Sequence, residues 1–204
     1  MEVLGDWILG IRIMEILRAR FAAETQAQEA WDAYSEDCQT GLVNAMSGTV
    51  NAYNTRQRVG AVNRTQARRT GLAGAAAAAG IDWRMLAAIA IRESDGGVNL
   101  VQDGGGGRGW FQIDITKHPG SDINPMNFDQ AATWAAGHLA DLRSEIAGMH
   151  PHFNENQLLQ ATLASWNFGN PARNISGNPA TIDDKTTGNN YGSNTMSLMD
   201  CFDE

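Results

Sequence analysis

The run DWRMLAAIAIRESDGGVNLVQDGGGGRGWFQID, residues 82–114, decides how this chain reads. Asp82 stands where a helix N-cap is wanted, and WRMLAAIAIRES continues as a helix. Leu86, Ile89 and Ala90 lie seven, four and three residues before Glu93, so all four share one helix face. A carboxylate at the end of an apolar stripe, directly before SDGG, is unusual, although the polar end of an ordinary helix reads the same way. VNLVQ (98–102) and GWFQID (109–114) read as short strands on either side of DGGGGRG (103–109). The glycines supply a turn able to approach a ligand closely. The run lacks the GxxxxGK[ST] ending of a phosphate loop, and no helix follows it directly. The expected hairpin places Asp103 and Asp114 at its two ends, following Glu93 at a helix end. Three carboxylates converging on a groove suit a glycosidase: one carboxyl is held protonated as general acid and another stays ionised to orient water. A metal site built from Asp103, Asp114 and His118 lacks the ligand spacing of a calcium loop or a zinc site, so neither metal nor other cofactor is expected.

Working outward, the chain has 204 residues, 43% of them hydrophobic, enough for a substantial core. Its 15 Lys+Arg stand against 23 Asp+Glu, a net charge of -8, the wrong sign for a nucleic-acid footprint. Residues 1–40 sum to -5 and 41–80 to +5, so the whole net charge falls on 81–204. The stretch VLGDWILGIRIMEILRARF is interrupted by Asp6, Arg12, Glu15, Arg18 and Arg20 and reads as an amphipathic helix, not a membrane span or a leader. Residues 42–69 read as helix, and GLAGAAAAAG (71–80) as a linker or a helix packed through small side chains. This divides the chain into an N-terminal helical segment (1–70), the Ala/Gly stretch (71–80) and a larger unit (81–204). No catalytic motif falls in 1–70, whose expected role is stability or targeting. Within 81–204, Asn127 with Gln130 and Asn154 with Gln157 have the spacing of capping boxes, each opening a helix. Ala131, Trp134, Ala135, His138 and Leu142 fall on one side of the first, and there His138 reads as a packing residue. Residues 167–192 show little periodicity and read as a loop. Cys38 and Cys201 either form one bridge across the chain or remain two buried thiols.

IAIRESDGG, DGGGGRGWFQID and the following His118 together resemble the core of goose-type lysozymes and their bacterial and phage relatives, in the superfamily that includes soluble lytic transglycosylases and some chitinases. ASWNFGNPARN (164–174) is similar to that family's AYN-G-GNV segment, with Trp166 where Tyr is usual. DDKTTGNNYGSN (183–194) is similar to its TTHDDYAND segment. The resemblance runs over roughly 80–194. It implies a mostly α-helical α+β lysozyme-like fold with a small β-hairpin at the cleft. It also implies Glu93 as general acid, Asp103 and Asp114 as the acidic pair, and Gln112, His118, Trp166, Asn167 and Tyr191 along the saccharide groove, with Tyr191 bonded to a carboxylate or to a substrate N-acetyl group. The activity implied is cleavage of β-1,4 bonds in peptidoglycan by inverting hydrolysis. Chitin-type polymers are the competing substrate and 1,6-anhydro-forming transglycosylation the competing reaction. A non-catalytic glycan-binding or structural protein is the reading from a different class. A wall-degrading activity implies work outside the cytoplasm, as a phage protein or a delivered effector, and an effector implies an immunity or inhibitor partner.

Overall fold

Every residue of Met85–Ile91 is buried, so the helix that carries them is enclosed on all sides. A helix apolar around its whole circumference belongs in an interior, and this one is the axis about which the rest packs. The computed structural model describes residues 2–46, 51–101, 106–118 and 122–203, and for 2–11 the backbone only. Its helices are α1 (Glu2–Ala33), α2 (Glu36–Ala45), α3 (Ala52–Gln66), α4 (Arg69–Ala79), α5 (Trp83–Ser94), α6 (Phe128–Met149), α7 (Glu155–Phe168), the single turn α8 (Pro171–Asn174) and α9 (Tyr191–Met199). Around α5 stand α3, α4, α6 and α9, while α7 joins α6 to α9 and α2 lies along α9. Among the described residues no helix is long and apolar enough to cross a membrane.

Local signals account for the helix boundaries. Asp82 accepts from Arg84 N at 2.9 Å and starts α5. Asn154 and Gln157 close a complete capping box at α7, each side chain accepting from the other's backbone N–H at 3.0 Å. At α6 only half of the box forms: Asn127 accepts from Gln130 N, but Gln130 Oε1 turns to Asn124 N, 2.8 Å away. The Ala/Gly stretch is the helix α4, ended by Gly80 in the left-handed region at φ 68°. The segment read as helix over 42–69 includes the end of α2 and all of α3. The segment read as loop over 167–192 contains α8 and the start of α9.

Two expectations change. Among the described residues there is no sheet: Val101 with Arg108, and Arg108 with Ile113, form isolated antiparallel bridges in place of the expected strands. The cause is local. Gly109 and Gln112 both take positive φ, 75° and 48°. The carbonyls of Asn99 and Gly109 are taken by the Gln112 amide, and that of Trp110 by Ser94 Oγ, so the backbone acceptors of a ladder are already used by side chains. The fold is mostly helical, and among the described residues the expected hairpin is represented only by these two bridges. In α1, Ile13, Met14, Ile16, Leu17 and Phe21 are exposed, so residues 12–21 of this apolar stretch are helical without being buried on the rest of the chain; Ala27 and Trp31 farther along the helix are buried.

The core does not stop at residue 70. Trp31, Cys38, Leu42, Val59 and Val62 belong to the same buried cluster as Leu86, Ile89, Leu139 and Leu198. Cys38 on α2 is bonded to Cys201 just beyond α9, closing the chain across 163 residues. Gly41 lets α2 approach closely, since a Cβ there would lie 2.9 Å from Leu198 N, and Asn194 Nδ2 donates to Gly41 O at 2.9 Å. Arg64 of α3 donates to the carbonyls of Asp95 and Gly96 at the end of α5. The N-terminal helices therefore brace the helix that carries Glu93.

Candidate active site

Glu93 occupies the last turn of α5, which closes with Asp95 in the left-handed region at φ 52°. The N–H groups of Asp95 and Gly96 bond back to Ile91 O and Ala90 O, and Ser94 Oγ lies 2.9 Å from Trp110 O. The end of the helix is thus locked to the segment 108–114, and Glu93 faces a cleft of about 480 Å³. Burial pushes its carboxyl up to about 7, against the opposing pull of the Tyr191 hydroxyl and the Arg92 guanidinium. Tyr191 is buried behind Glu93 and donates its hydroxyl to Oε1. Of the two roles expected of Tyr191 along the groove, a bond to a carboxylate or to a substrate N-acetyl group, its hydroxyl makes the first, to Glu93, and it is not among the residues that line the cleft.

Asp114 lines the same cleft in the opposite electrostatic setting. Its Oδ1 accepts from Thr116 Oγ1 at 2.6 Å and Thr116 N at 3.1 Å, and Lys117 Nζ lies 3.5 Å from Oδ2. The Thr116 hydroxyl foremost, with the Thr116 N–H and Lys117 in support, holds this carboxyl below the usual carboxylate range. Gly106 closes over it: a Cβ there would lie 2.3 Å from Asp114 Oδ2. Asp103, the other acid of the expected pair, lies outside the described residues.

The remaining expected residues divide by role. Gln112, His118, Trp166 and Asn167 all line the cleft with Glu93 and Asp114. Gln112 is held by its amide to Asn99 O and Gly109 O, both at 2.9 Å. Asn167 accepts from Thr187 N at 2.8 Å, which ties the wall to the segment preceding α9. Trp110 and Phe111 pack beneath: Phe111 is fully buried, and the Trp110 ring lies against Gly97. Among the described residues no group of three or more His, Cys, Asp or Glu side chains could hold a metal ion.

Among the cleft residues missed from sequence are two on α6. Trp134 and His138, one helical turn apart on α6, stack on each other at 4.8 Å and 24° and line the cleft. His118 and Trp166 meet them edge-on, with ring centroids 4.7 Å (His118–Trp134) and 5.8 Å (His138–Trp166) apart. Burial, and after it the neighbouring His118, hold His138 below its usual pKa, with Asp141 opposing. The signal was present as an aromatic pair at i, i+4, but helical periodicity does not distinguish a face toward the core from one toward a cleft. An aromatic wall of this kind stacks on the apolar faces of a ring ligand. Trp134→Ala is therefore expected to weaken the binding of a ring ligand in this cleft about tenfold, the scale of one aromatic contact, as a binding titration would show.

No protein-family model matches the chain, and no curated protein is significantly similar to it.

Proposed function

We propose that this protein is a lysozyme-type glycoside hydrolase of lysozyme-like fold that cleaves the β-1,4 bond between N-acetylmuramic acid and N-acetylglucosamine in peptidoglycan. The observation that carries the reading is a pair of carboxyl groups on one cleft whose environments push them apart: Glu93 raised to about 7 by burial, Asp114 lowered by its hydrogen bonds. Such a pair divides the work of glycoside cleavage. Glu93 delivers a proton to the leaving oxygen, held toward the cleft by Tyr191. Asp114, together with Asp103, holds a water against the opposite face of the sugar, and that water attacks the anomeric carbon with inversion. Gln112, Asn167 and the aromatic wall bind and orient the rings. The Cys38–Cys201 bond supports action outside the cytoplasm, since such bonds persist in oxidising compartments. A second substrate, chitin-type N-acetylglucosamine polymer, is favoured by the net charge of -8, which repels the anionic wall and leaves an uncharged glycan unaffected.

The test is digestion of purified peptidoglycan and of chitin oligomers, with products resolved by mass and by proton NMR before mutarotation. Hydrolysis adds one water and inversion yields the α-anomer. A β-anomer places the enzyme on a retaining path, and a 1,6-anhydro product means that the C6 hydroxyl attacked. No cleavage of either polymer overturns the reading in favour of a binding protein. The rate is also expected to depend on pH in a defined sense. Glu93 must be protonated, so kcat falls through pH 7 toward alkali. Asp114 must be ionised, so the acid limb lies below the ordinary carboxylate range. A pH profile with no alkaline limb near 7 would remove Glu93 from the role of acid.

A further inference from the structure

Asp183 is buried, 7% exposed, yet among the described residues its carboxylate meets neither the cleft lining nor a cation that would account for its burial by ion pairing. It accepts instead from three N–H donors: Gln160 Nε2 on α7 at 2.8 Å, and the backbone N–H groups of Gly192 and Ser193 at 2.6 and 2.9 Å. The last two are free donors of the first turn of α9, which has no side-chain cap of its own from Asn190. The adjoining donor, Tyr191 N, goes to Thr186 Oγ1 at 3.0 Å, and Thr186 Oγ1 in turn donates to Asp183 O at 2.8 Å. One carboxylate and its neighbouring hydroxyl thus satisfy the start of α9 from eight residues upstream, where the negative charge also suits the positive end of the helix dipole. Gly192 permits the close approach, since a Cβ there would lie 2.6 Å from Gln160 O.

The first residue of that turn is Tyr191, whose hydroxyl holds Glu93. Its ring is fixed on a second side by the Arg92 guanidinium, 5.3 Å from the ring centroid, itself held by a hydrogen bond to Asn44 O. We propose that Asp183 is a positioning residue for the general acid: by fixing the first turn of α9 it fixes Tyr191, and through Tyr191 the carboxyl of Glu93. This rests on Glu93 being the acid of the proposed reaction, but the mechanical link from Asp183 to Glu93 can be read without any substrate.

Asp183→Asn keeps the volume and removes one acceptor, so its amide faces a backbone N–H as donor against donor. The first turn of α9 then shifts and Tyr191 loses its hold on Glu93. At a pH where Glu93 is fully protonated, kcat is expected to fall about tenfold with KM unchanged, the scale of one hydrogen bond. The alkaline limb is expected to move to higher pH, because Tyr191 favours the ionised form of Glu93. Tyr191→Phe is expected to do the same, and the double variant to shift the limb no further than Tyr191→Phe alone. Carbon-13 NMR of Glu-labelled protein reads the Glu93 titration directly and needs no turnover. An Asp183→Asn protein that is folded, with Glu93 titrating as in the parent, overturns the proposal, as do additive shifts in the double variant. Should Asp183→Asn not fold, Gln160→Leu removes one donor to the same carboxylate and is expected to move the titration in the same direction by less; an unchanged titration there also overturns it. A parent protein that cleaves no glycan but whose Glu93 titration moves with Asp183→Asn would refute the glycosidase reading and leave the positioning role standing.

Discussion

Glu93→Gln is expected to lower turnover by about 10²–10⁴-fold, the scale of general acid catalysis, and at the same time to make the protein more stable at alkaline pH. The two effects have one cause. Folding raises the Glu93 carboxyl to about 7, so the native state binds this proton more tightly than the unfolded chain does. From about pH 4.5 up to 7, native stability is therefore lost as pH rises, and above 7 the loss is complete, at about 3 kcal/mol. Gln cannot ionise, and its amide oxygen still accepts from the Tyr191 hydroxyl, so the variant escapes that loss. Urea unfolding should show parent and Glu93→Gln alike at about pH 4, and the variant more stable at about pH 8. Retained turnover would remove Glu93 from the chemistry. Equal stability at both pH values would mean that the carboxyl is not raised by folding.

The second large effect concerns the bond between Cys38 and Cys201. It closes a loop across 163 residues, and the chain-entropy cost it removes from folding corresponds to about 5 kcal/mol. Its position adds to this, because it ties α2 to the end of α9 where Gly41 already brings the two helices into close contact. The paired replacement Cys38→Ser with Cys201→Ser is expected to cost about 2–5 kcal/mol, seen as a lower urea midpoint that reductant no longer changes. Reductant added to the parent should lower its midpoint equally. An unchanged parent midpoint on reduction would show that the bond does not form in solution. Because α9 starts with Tyr191, the loss should also loosen the hold on Glu93.

The shared core bears on where the chain can be cut. A fragment starting at Gly71 lacks Trp31, Cys38, Leu42, Val59 and Val62 from the buried cluster, and lacks Arg64 from the carbonyls that end α5. The sequence sets residues 1–70 apart as a helical segment with a role in stability or targeting, since no catalytic motif falls there and its charges balance internally. Charge balance is a property of composition, whereas the brace on α5 is a contact between elements distant along the chain.

What the sequence by itself determined is what neighbouring residues settle among themselves. Asp82 and Asn154 mark helix starts because a cap bonds to N–H groups two or three residues away. The spacing of Leu86, Ile89, Ala90 and Glu93 puts a carboxyl on an apolar face because a helix turns every 3.6 residues. Tertiary structure decided everything that depends on which surfaces meet. Of the strand pattern of 98–114 the described residues form only isolated bridges, where side chains from Ser94 and Gln112 occupy carbonyls a ladder would use. Trp134 and His138 line a cleft because α6 borders both the core and the open groove, which periodicity alone does not separate. Tyr191 stands behind Glu93 because Asp183 holds the start of α9 in place, and Cys38 meets Cys201 because α2 lies along that same helix. Local bonding is written in residue types and their spacing; these pairings arise only when the folded chain brings distant segments to the same place.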